Sequence, residues 1–288
     1  MPYGLLGSPL PVPMVDPRAI HPDAADWANR VRANGGSVSG STLNAVSRFC
    51  ASIAAAGIRD RFYRLNLFCG TGLSACLVPL YRGPSLGGTQ FGNTTDTNVG
   101  PFVSGDYAET GASGGLTGNG TSKYLDTGFS MNTLPSTTSG HASVYCANRS
   151  ARNTFTGMIG LSTTGSGTAS NPTGFGIATD SSVYGVWGAF AVAANSSNGM
   201  LVVSRESGSL LTTYANAASI ATNTTTVTPS AIARIAVVFA NRASPTVVDN
   251  FDSRRYCGYS IGLGMTAPQV SAYYTAIQAF QAALSRNV

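Results

Sequence analysis

The stretch NGTSKYLDTGF, residues 119–129, reads as a turn followed by a β-strand. Asn119-Gly120 is a dipeptide typical of turns. Tyr124, Asp126 and Gly128 then alternate with their neighbours in the two-residue period of a strand. The stretch has no catalytic motif, so it predicts a strand and its turn rather than an active site.

Short apolar runs continue this pattern through residues 62–260, separated by clusters of Gly, Ser, Thr and Asn. The clearest runs are residues 75–80, 142–146, 183–190, 200–203 and 232–239. Strands at this density, with few charges and no helix between them, predict two packed antiparallel sheets. The Gly- and Thr-rich segment 82–120 is expected to be mostly loop. The fold class is therefore mainly β, a sandwich.

Helical periodicity occurs only before and after this region. The segment 23–61 predicts an αα-hairpin, with one helix starting at Asp23 as its N-cap and a second over residues 41–56. At the other end, residues Thr266 to Gln269 form a T-x-x-Q capping box that opens a C-terminal helix. The apolar face of that helix is formed by Val270, Tyr274, Ile277, Phe280 and Leu284. We expect this helix to dock on the sandwich or on the hairpin.

The first 22 residues contain six prolines and many large apolar side chains, which predicts an extended arm rather than a helix. Simple linkers seldom carry such side chains, so we expect the arm to anchor the protein by docking on a neighbouring protein. The alternative, that it covers its own domain, stays open. The expected docking residues are Leu5, Leu6, Leu10, Val12, Met14 and Val15.

Charge and cysteine content limit the partners and cofactors. Only 10% of the residues are charged, against roughly 25% in typical soluble proteins. The net charge of +5 comes from scattered arginines, so we expect no nucleic-acid partner. The five cysteines lack metal-site spacing, and we expect buried free thiols and no cofactor. No secretory signal and no membrane-spanning segment is recognisable, which indicates synthesis in the cytoplasm without membrane insertion.

Catalytic patterns are absent from the sequence. Glu109 and Glu206 are the only glutamates and do not form the paired arrangement of a glycosidase. The histidines, His21 and His141, are not placed as in a Ser-His-Asp triad. The glycines of GTGLSAC, residues 70–76, are expected to form a turn entering a strand. We therefore expect a protein that is not an enzyme.

Sugar binding is harder to dismiss, because it needs only an exposed aromatic ring and a few polar partners. Tyr184, Trp187 and Tyr214 are candidates for the ring, and Asp180 or Asn195 for the partner. An aromatic residue in an alternating strand is more often part of the core. No sugar site is assigned from the sequence.

Three stretches together resemble a group of bacteriophage virion proteins. Their segment leading into the first strand resembles residues 54–70, AAAGIRDRFYRLNLFCG. The strand that opens their concanavalin A-like, laminin-G-like lectin sandwich resembles residues 119–129, NGTSKYLDTGF. YSIGLGMTAPQVSAYYTAIQAFQAAL (259–284) resembles their closing strand and helix. The resemblance implies a lectin-like jelly-roll sandwich over residues 62–288. It does not include the arm.

Members of this group are tail-fibre, spike or head-decoration components, so the resemblance implies a structural component of the virion surface. The expected partners are then other virion proteins of the capsid, collar or tail, and further copies of this chain. The alternative is a glycan-binding lectin-like module that recognises the host surface.

Overall fold

The structure, a computed structural model, describes residues 19–149, 154–162, 174–229 and 233–288. Within these residues the chain forms three layers: two antiparallel β-sheets packed face to face, and helices on the outer face of one sheet. The prediction of a mainly β sandwich with N-terminal helices and a closing helix is confirmed. The proposed docking residues lie outside the described residues, so their role stays a prediction: Leu5, Leu6, Leu10, Val12, Met14 and Val15.

The strands follow one another from residue 62 to residue 262, as the sequence predicts. In chain order they are β1 (Phe62–Asn66), β2 (Thr97–Val99), β3 (Tyr107–Ala108), β4 (Gly115–Thr117), β5 (Tyr124–Ser130), β6 (Gly140–Cys146), β7 (Thr156–Ser162), β8 (Gly174–Thr179), β9 (Ser182–Trp187), β10 (Phe190–Ala194), β11 (Gly199–Ser207), β12 (Leu210–Ala215), β13 (Ala218–Asn223), β14 (Ile235–Val238), β15 (Asn241–Arg242), β16 (Val248–Asp249) and β17 (Arg255–Gly262).

These strands divide into two sheets. In the described residues, the eight-stranded sheet has the order β13-β12-β11-β6-β17-β4-β3, and β1 also pairs with β17. The nine-stranded sheet has the order β10-β9-β8-β7-β14-β5-β2, with β15 and β16 attached beside β7. The pairings are antiparallel except for a single parallel contact between β15 and β7.

The helices are α1 (Pro22–Ala33), α2 (Gly40–Ala55), α3 (Leu73–Cys76) and α4 (Ala267–Ala283). The capping box predicted at the start of α4 is present: the Thr266 N–H donates to Gln269 Oε1 at 2.9 Å. The N-cap of α1 is His21 rather than the expected Asp23, because the His21 imidazole accepts from the Asp23 N–H. α3 corrects the expectation for GTGLSAC, since one helical turn follows Gly72 where a strand was expected.

The hydrophobic core has two parts that share the eight-stranded sheet. One part lies between the two sheets, and the other lies between the eight-stranded sheet and α1, α2 and α4. Every residue of β6 is therefore buried. In the nine-stranded sheet, β8 is also buried along its length, whereas β5 and β9 alternate between buried and half-exposed residues, because the described residues cover their outer faces only in part. None of the helices described here is long and apolar enough to cross a membrane.

A buried ion pair fastens the long segment between β1 and β2 to the sandwich. Arg64 and Asp96 are fully buried, with Arg64 Nη2 2.6 Å from Asp96 Oδ1. Tyr259 donates its hydroxyl to Asp96 Oδ1 at 2.7 Å, and Asn66 Nδ2 donates to Oδ2 at 2.8 Å. A buried charge is tolerated when it is paired and hydrogen-bonded in this way.

Replacing Asp96 by Ala is expected to lower the free energy of unfolding by about 3–5 kcal/mol, because Arg64 would stay buried without a counterion. The matched control is Asp60→Ala, since Asp60 pairs with Arg61 at 3.3 Å at the surface. An exposed pair contributes at most about 1 kcal/mol. Guanidinium unfolding measures the free energy of unfolding of both variants. An equally small loss of this free energy in Asp96→Ala and Asp60→Ala would contradict the role given to the buried ion pair.

Candidate functional site

Tyr184 lies on the outer face of the nine-stranded sheet, where it is half-exposed among the described residues. It belongs to β9, where Ser182, Tyr184 and Val186 are half-exposed while the residues between them are buried. The two-residue period of the strand produces this division. Since β9 is next to the edge strand β10, the Tyr184 ring lies near one side of the sheet.

A short turn between β8 and β9 places a carboxylate beside this ring. Asp180 Oδ2 accepts the Tyr184 hydroxyl at 3.0 Å, and Oδ1 accepts the Ser182 N–H at 2.7 Å. Partial burial, together with the hydrogen bond to Asp180, raises the pKa of Tyr184, so its hydroxyl stays a donor at neutral pH. Asp180 therefore limits how the ring can move.

Apolar side chains support the ring from both sides. Phe155, just before β7, packs against Tyr184 edge-on, with ring centroids 5.4 Å apart. Val192 of β10 lies directly opposite Tyr184 in the strand register and is 44% exposed. On the other side, the buried Ala178 of β8 lies opposite Tyr184 in the strand register.

Asn195 extends the surface with an amide. It follows Ala194, which pairs with Ser182, so the register brings Asn195 to the same end of the sheet as Asp180. Its side-chain oxygen accepts from Arg149 Nη1 at 2.7 Å and from the Ser197 N–H at 3.1 Å. We call Phe155, Asp180, Tyr184, Val192 and Asn195 the Tyr184 surface.

The structure thus brings two of the residues considered from the sequence, Tyr184 and Asp180, into contact and places a third, Asn195, at the same end of the sheet. The other two aromatic candidates belong to the core. Trp187 is fully buried between the sheets and donates its indole N–H to the Thr137 carbonyl at 2.9 Å. Tyr214 is 2% exposed and packs on the helix side of the eight-stranded sheet. Phe155 and Val192 were not predicted from the sequence, because their positions beside Tyr184 are seen only in the ring packing and the strand register.

The two glutamates are far from forming a pair. Glu109 Oε1 accepts from the Thr42 hydroxyl at 2.7 Å and from the Gly70 N–H at 2.8 Å, and so ties α2 to the segment after β1. Glu206 accepts a long hydrogen bond from Tyr214. Partial burial raises the pKa of Glu206.

His141 lies in a buried polar cluster at the centre of the eight-stranded sheet. Its Nδ1 is 2.7 Å from the Leu263 carbonyl, which can only accept, so Nδ1 carries the proton. Nε2 then accepts the Ser260 hydroxyl at 2.8 Å, and Ser260 Oγ is 2.6 Å from Ser143 Oγ. In a Ser-His-Asp triad, a carboxylate accepts the hydrogen bond from Nδ1 of the histidine, whereas here the acceptor is the Leu263 carbonyl. Burial lowers the pKa of His141 to about 4.

The five cysteines are free and buried, as predicted. Burial raises the pKa of Cys50 and of Cys146 to about 12, so these thiols stay protonated at neutral pH. Among the residues that the structure describes, no three His, Cys, Asp or Glu side chains come together as a metal site.

Comparison with known proteins gives similarity only to solved structures. No family model and no curated protein matches the chain. NanB sialidase of Streptococcus pneumoniae is 17% identical over 55% of this chain and 27% of its own, with a TM-score of 0.41. The sialidase of Trypanosoma rangeli is 10% identical over 81% of this chain and 38% of its own, with a TM-score of 0.44. Domain 4 of AbnA, an arabinanase of Geobacillus stearothermophilus solved with arabinotriose, is 17% identical over 64% of this chain and 85% of its own, with a TM-score of 0.36.

The chain spans about a quarter of the pneumococcal sialidase. The expectation that this protein is not an enzyme is corrected here, because the similar solved structures include sialidases, which are enzymes.

The buried neutral His141 predicts a loss of stability in mild acid. Between about pH 6.5 and pH 4, the unfolded chain takes up a proton at this residue and the folded chain does not. The free energy of unfolding is therefore expected to fall through this range by on the order of 3 kcal/mol and to level off below it.

Urea unfolding at a series of pH values measures this fall. The variant His141→Gln should lose this part of the pH dependence, whereas His21→Gln, which removes the histidine at the start of α1, should keep it. The same acid slope in His141→Gln as in the unaltered protein would contradict the assignment.

Proposed function

We propose that this protein binds carbohydrate through the Tyr184 surface. The observation that carries the proposal is the Tyr184 ring, which is half-exposed among the described residues and is held by Asp180 and Phe155 on the outer face of the nine-stranded sheet. A ring fixed in this way loses little conformational freedom when a ligand stacks on it.

The polar groups around the ring suit the hydroxyls of a sugar. Asp180 Oδ1 accepts the Ser182 N–H and, at 3.5 Å, the Ser181 hydroxyl, while Oδ2 accepts the Tyr184 hydroxyl and has capacity for another hydrogen bond. Val192 adds an exposed apolar contact beside the ring. The surface thus combines a flat apolar area with a few directional polar groups, as small-ligand sites do.

A place on the virion surface, implied by the sequence resemblance, is a second proposal. The three stretches that carry the resemblance fold as β1, as β5, and as β17 with α4. In this proposal the protein is a head-decoration, spike or tail-fibre component, assembled with capsid, collar or tail proteins, and the Tyr184 surface meets glycans of the host.

Antibody labelling of intact phage particles tests the second proposal. Gold label is expected on the outside of the particle. Label that is found in the lysate and never on particles would contradict a virion location. That result would not bear on the carbohydrate proposal, which is tested separately.

Replacing Tyr184 by Ala is expected to weaken binding of the best oligosaccharide at least about tenfold, which corresponds to about 1.4 kcal/mol of lost contact. An array of immobilised bacterial surface polysaccharides identifies the ligand, and calorimetry then gives the dissociation constants. Tyr184→Phe should lose less, since it keeps the ring and removes only the hydrogen bond to Asp180.

Tyr124 provides the matched control. It is a half-exposed tyrosine on the same sheet, and its ring centroid is 6.2 Å from that of Phe251. Tyr124→Ala should bind as the unaltered protein does. Unchanged binding by Tyr184→Ala, or an equal loss in both variants, would refute the proposed surface.

A further inference from the structure

Arg149 carries a positive charge that is largely removed from solvent. It follows β6 and is 5% exposed. Its Nη1 donates to Asn195 Oδ1 at 2.7 Å and to the Ser197 carbonyl at 3.4 Å. Among the residues that the structure describes, its Nε and Nη2 have no hydrogen-bond partner, and no carboxylate forms an ion pair with it. The described residues therefore leave this buried charge without a counterion.

Two other buried arginines show how the chain stabilises such a charge. Arg254 pairs with Asp252 at 2.7 Å. Arg286 donates from Nε, Nη1 and Nη2, to Gln281 and to backbone carbonyls. Burying a charge costs stability unless it is paired and hydrogen-bonded. Within the described ranges Arg149 has neither arrangement, so an anion from outside the chain would complete it.

The rest of the sequence offers few groups that could neutralise Arg149. Residues 150–153, 163–173 and 230–232 contain no Asp or Glu, and Asp16 is the one acidic residue outside the described ranges. Burial, together with the nearby charge of Arg254, lowers the pKa of Arg149 to about 10. Its guanidinium is therefore still charged at neutral pH.

The unused edge of the guanidinium has the geometry that a carboxylate requires. Nε–H and one N–H of Nη2 point the same way and can donate two parallel hydrogen bonds. Arg64 uses this same edge, Nε and Nη2, to bind Asp96. Next to Arg149, the exposed Ser197 and Asn198 add a hydroxyl and an amide as further donors. Asn198 is fixed there, since its Oδ1 accepts the Arg149 N–H at 2.6 Å.

We propose that Arg149 binds the carboxylate of an acidic sugar, and that the ligand of the Tyr184 surface is an acidic oligosaccharide. This inference rests on the carbohydrate binding proposed above. Asn195 connects the two places, because it belongs to the Tyr184 surface and accepts from Arg149. It lies three residues beyond Val192, the partner of Tyr184, which is about 10 Å along the chain. A ligand that contacts both the ring and Arg149 is thus longer than one sugar ring.

A titration of the unaltered protein with glucuronate, a sugar that carries a carboxylate, tests the anion site directly. The Arg149 Nε–H signal in the NMR spectrum, assigned by its loss in Arg149→Gln, is expected to shift saturably. Glucose should not shift it, and the exposed Arg32 should not respond to glucuronate. No shift at Arg149, or an equal shift at Arg32, would overturn the proposal. Inorganic sulfate that binds more tightly than glucuronate would overturn the assignment to a carboxylate.

The oligosaccharide is tested with the acidic polysaccharides of the array, each beside its carboxyl-reduced form. Arg149→Gln is expected to bind the acidic form at least about tenfold more weakly and the reduced form as the unaltered protein does. Arg32→Gln removes the same charge from α1 and should bind both forms normally. An equal loss for both forms would show that Arg149 only holds Asn195 in place, and would overturn the inference.

The two proposals fail in different ways. Binding of neutral and acidic forms with equal affinity, weakened by Tyr184→Ala, would refute the carboxylate site and leave the carbohydrate proposal standing. A glucuronate shift at Arg149 in a protein that binds no polysaccharide of the array would support the carboxylate site and refute the function proposed for the Tyr184 surface.

Discussion

The burial of β6, β11 and β17, the central strands of the eight-stranded sheet, on both faces is the constraint on which the rest of the structure depends. Along β17, Tyr256 and Ile261 face the second sheet, while Cys257 faces the helices. One strand therefore contacts both neighbouring layers, and its residues 256–262 are buried. The Arg64–Asp96 pair and the His141–Ser260 cluster follow from this, since a buried polar group needs a partner.

In the nine-stranded sheet, the described residues leave the outer sides of β5 and β9 half-exposed, and this difference decides where surface chemistry can occur. Tyr184 and Trp187 are three residues apart on β9, yet the strand period turns one toward solvent and the other into the core. Arg149 contacts Asn195 at the end of this sheet, so a charge without a counterion in the described residues adjoins the Tyr184 surface.

Much of the fold could be predicted from the sequence, because its signals are local. The alternation of β5 and the capping box at Thr266 each depend on a few consecutive residues, and both are present as predicted. α3 was not predicted, since a four-residue helix is too short for periodicity to reveal. The Tyr184 surface could not be predicted, because it depends on the register of β9 and β10, which places Val192 beside the Tyr184 ring and Asn195 at the same end of the sheet as Asp180. No local pattern contains that register.

A crystal structure with a bound oligosaccharide tests the central claim, that the open sheet face recognises carbohydrate, most directly. The tightest ligand from a polysaccharide array would be used for co-crystallisation. The account predicts a sugar ring stacked on Tyr184, with its hydroxyls hydrogen-bonded to Asp180 or Asn195. A sugar bound elsewhere on the protein, with the Tyr184 ring left in solvent, would contradict it.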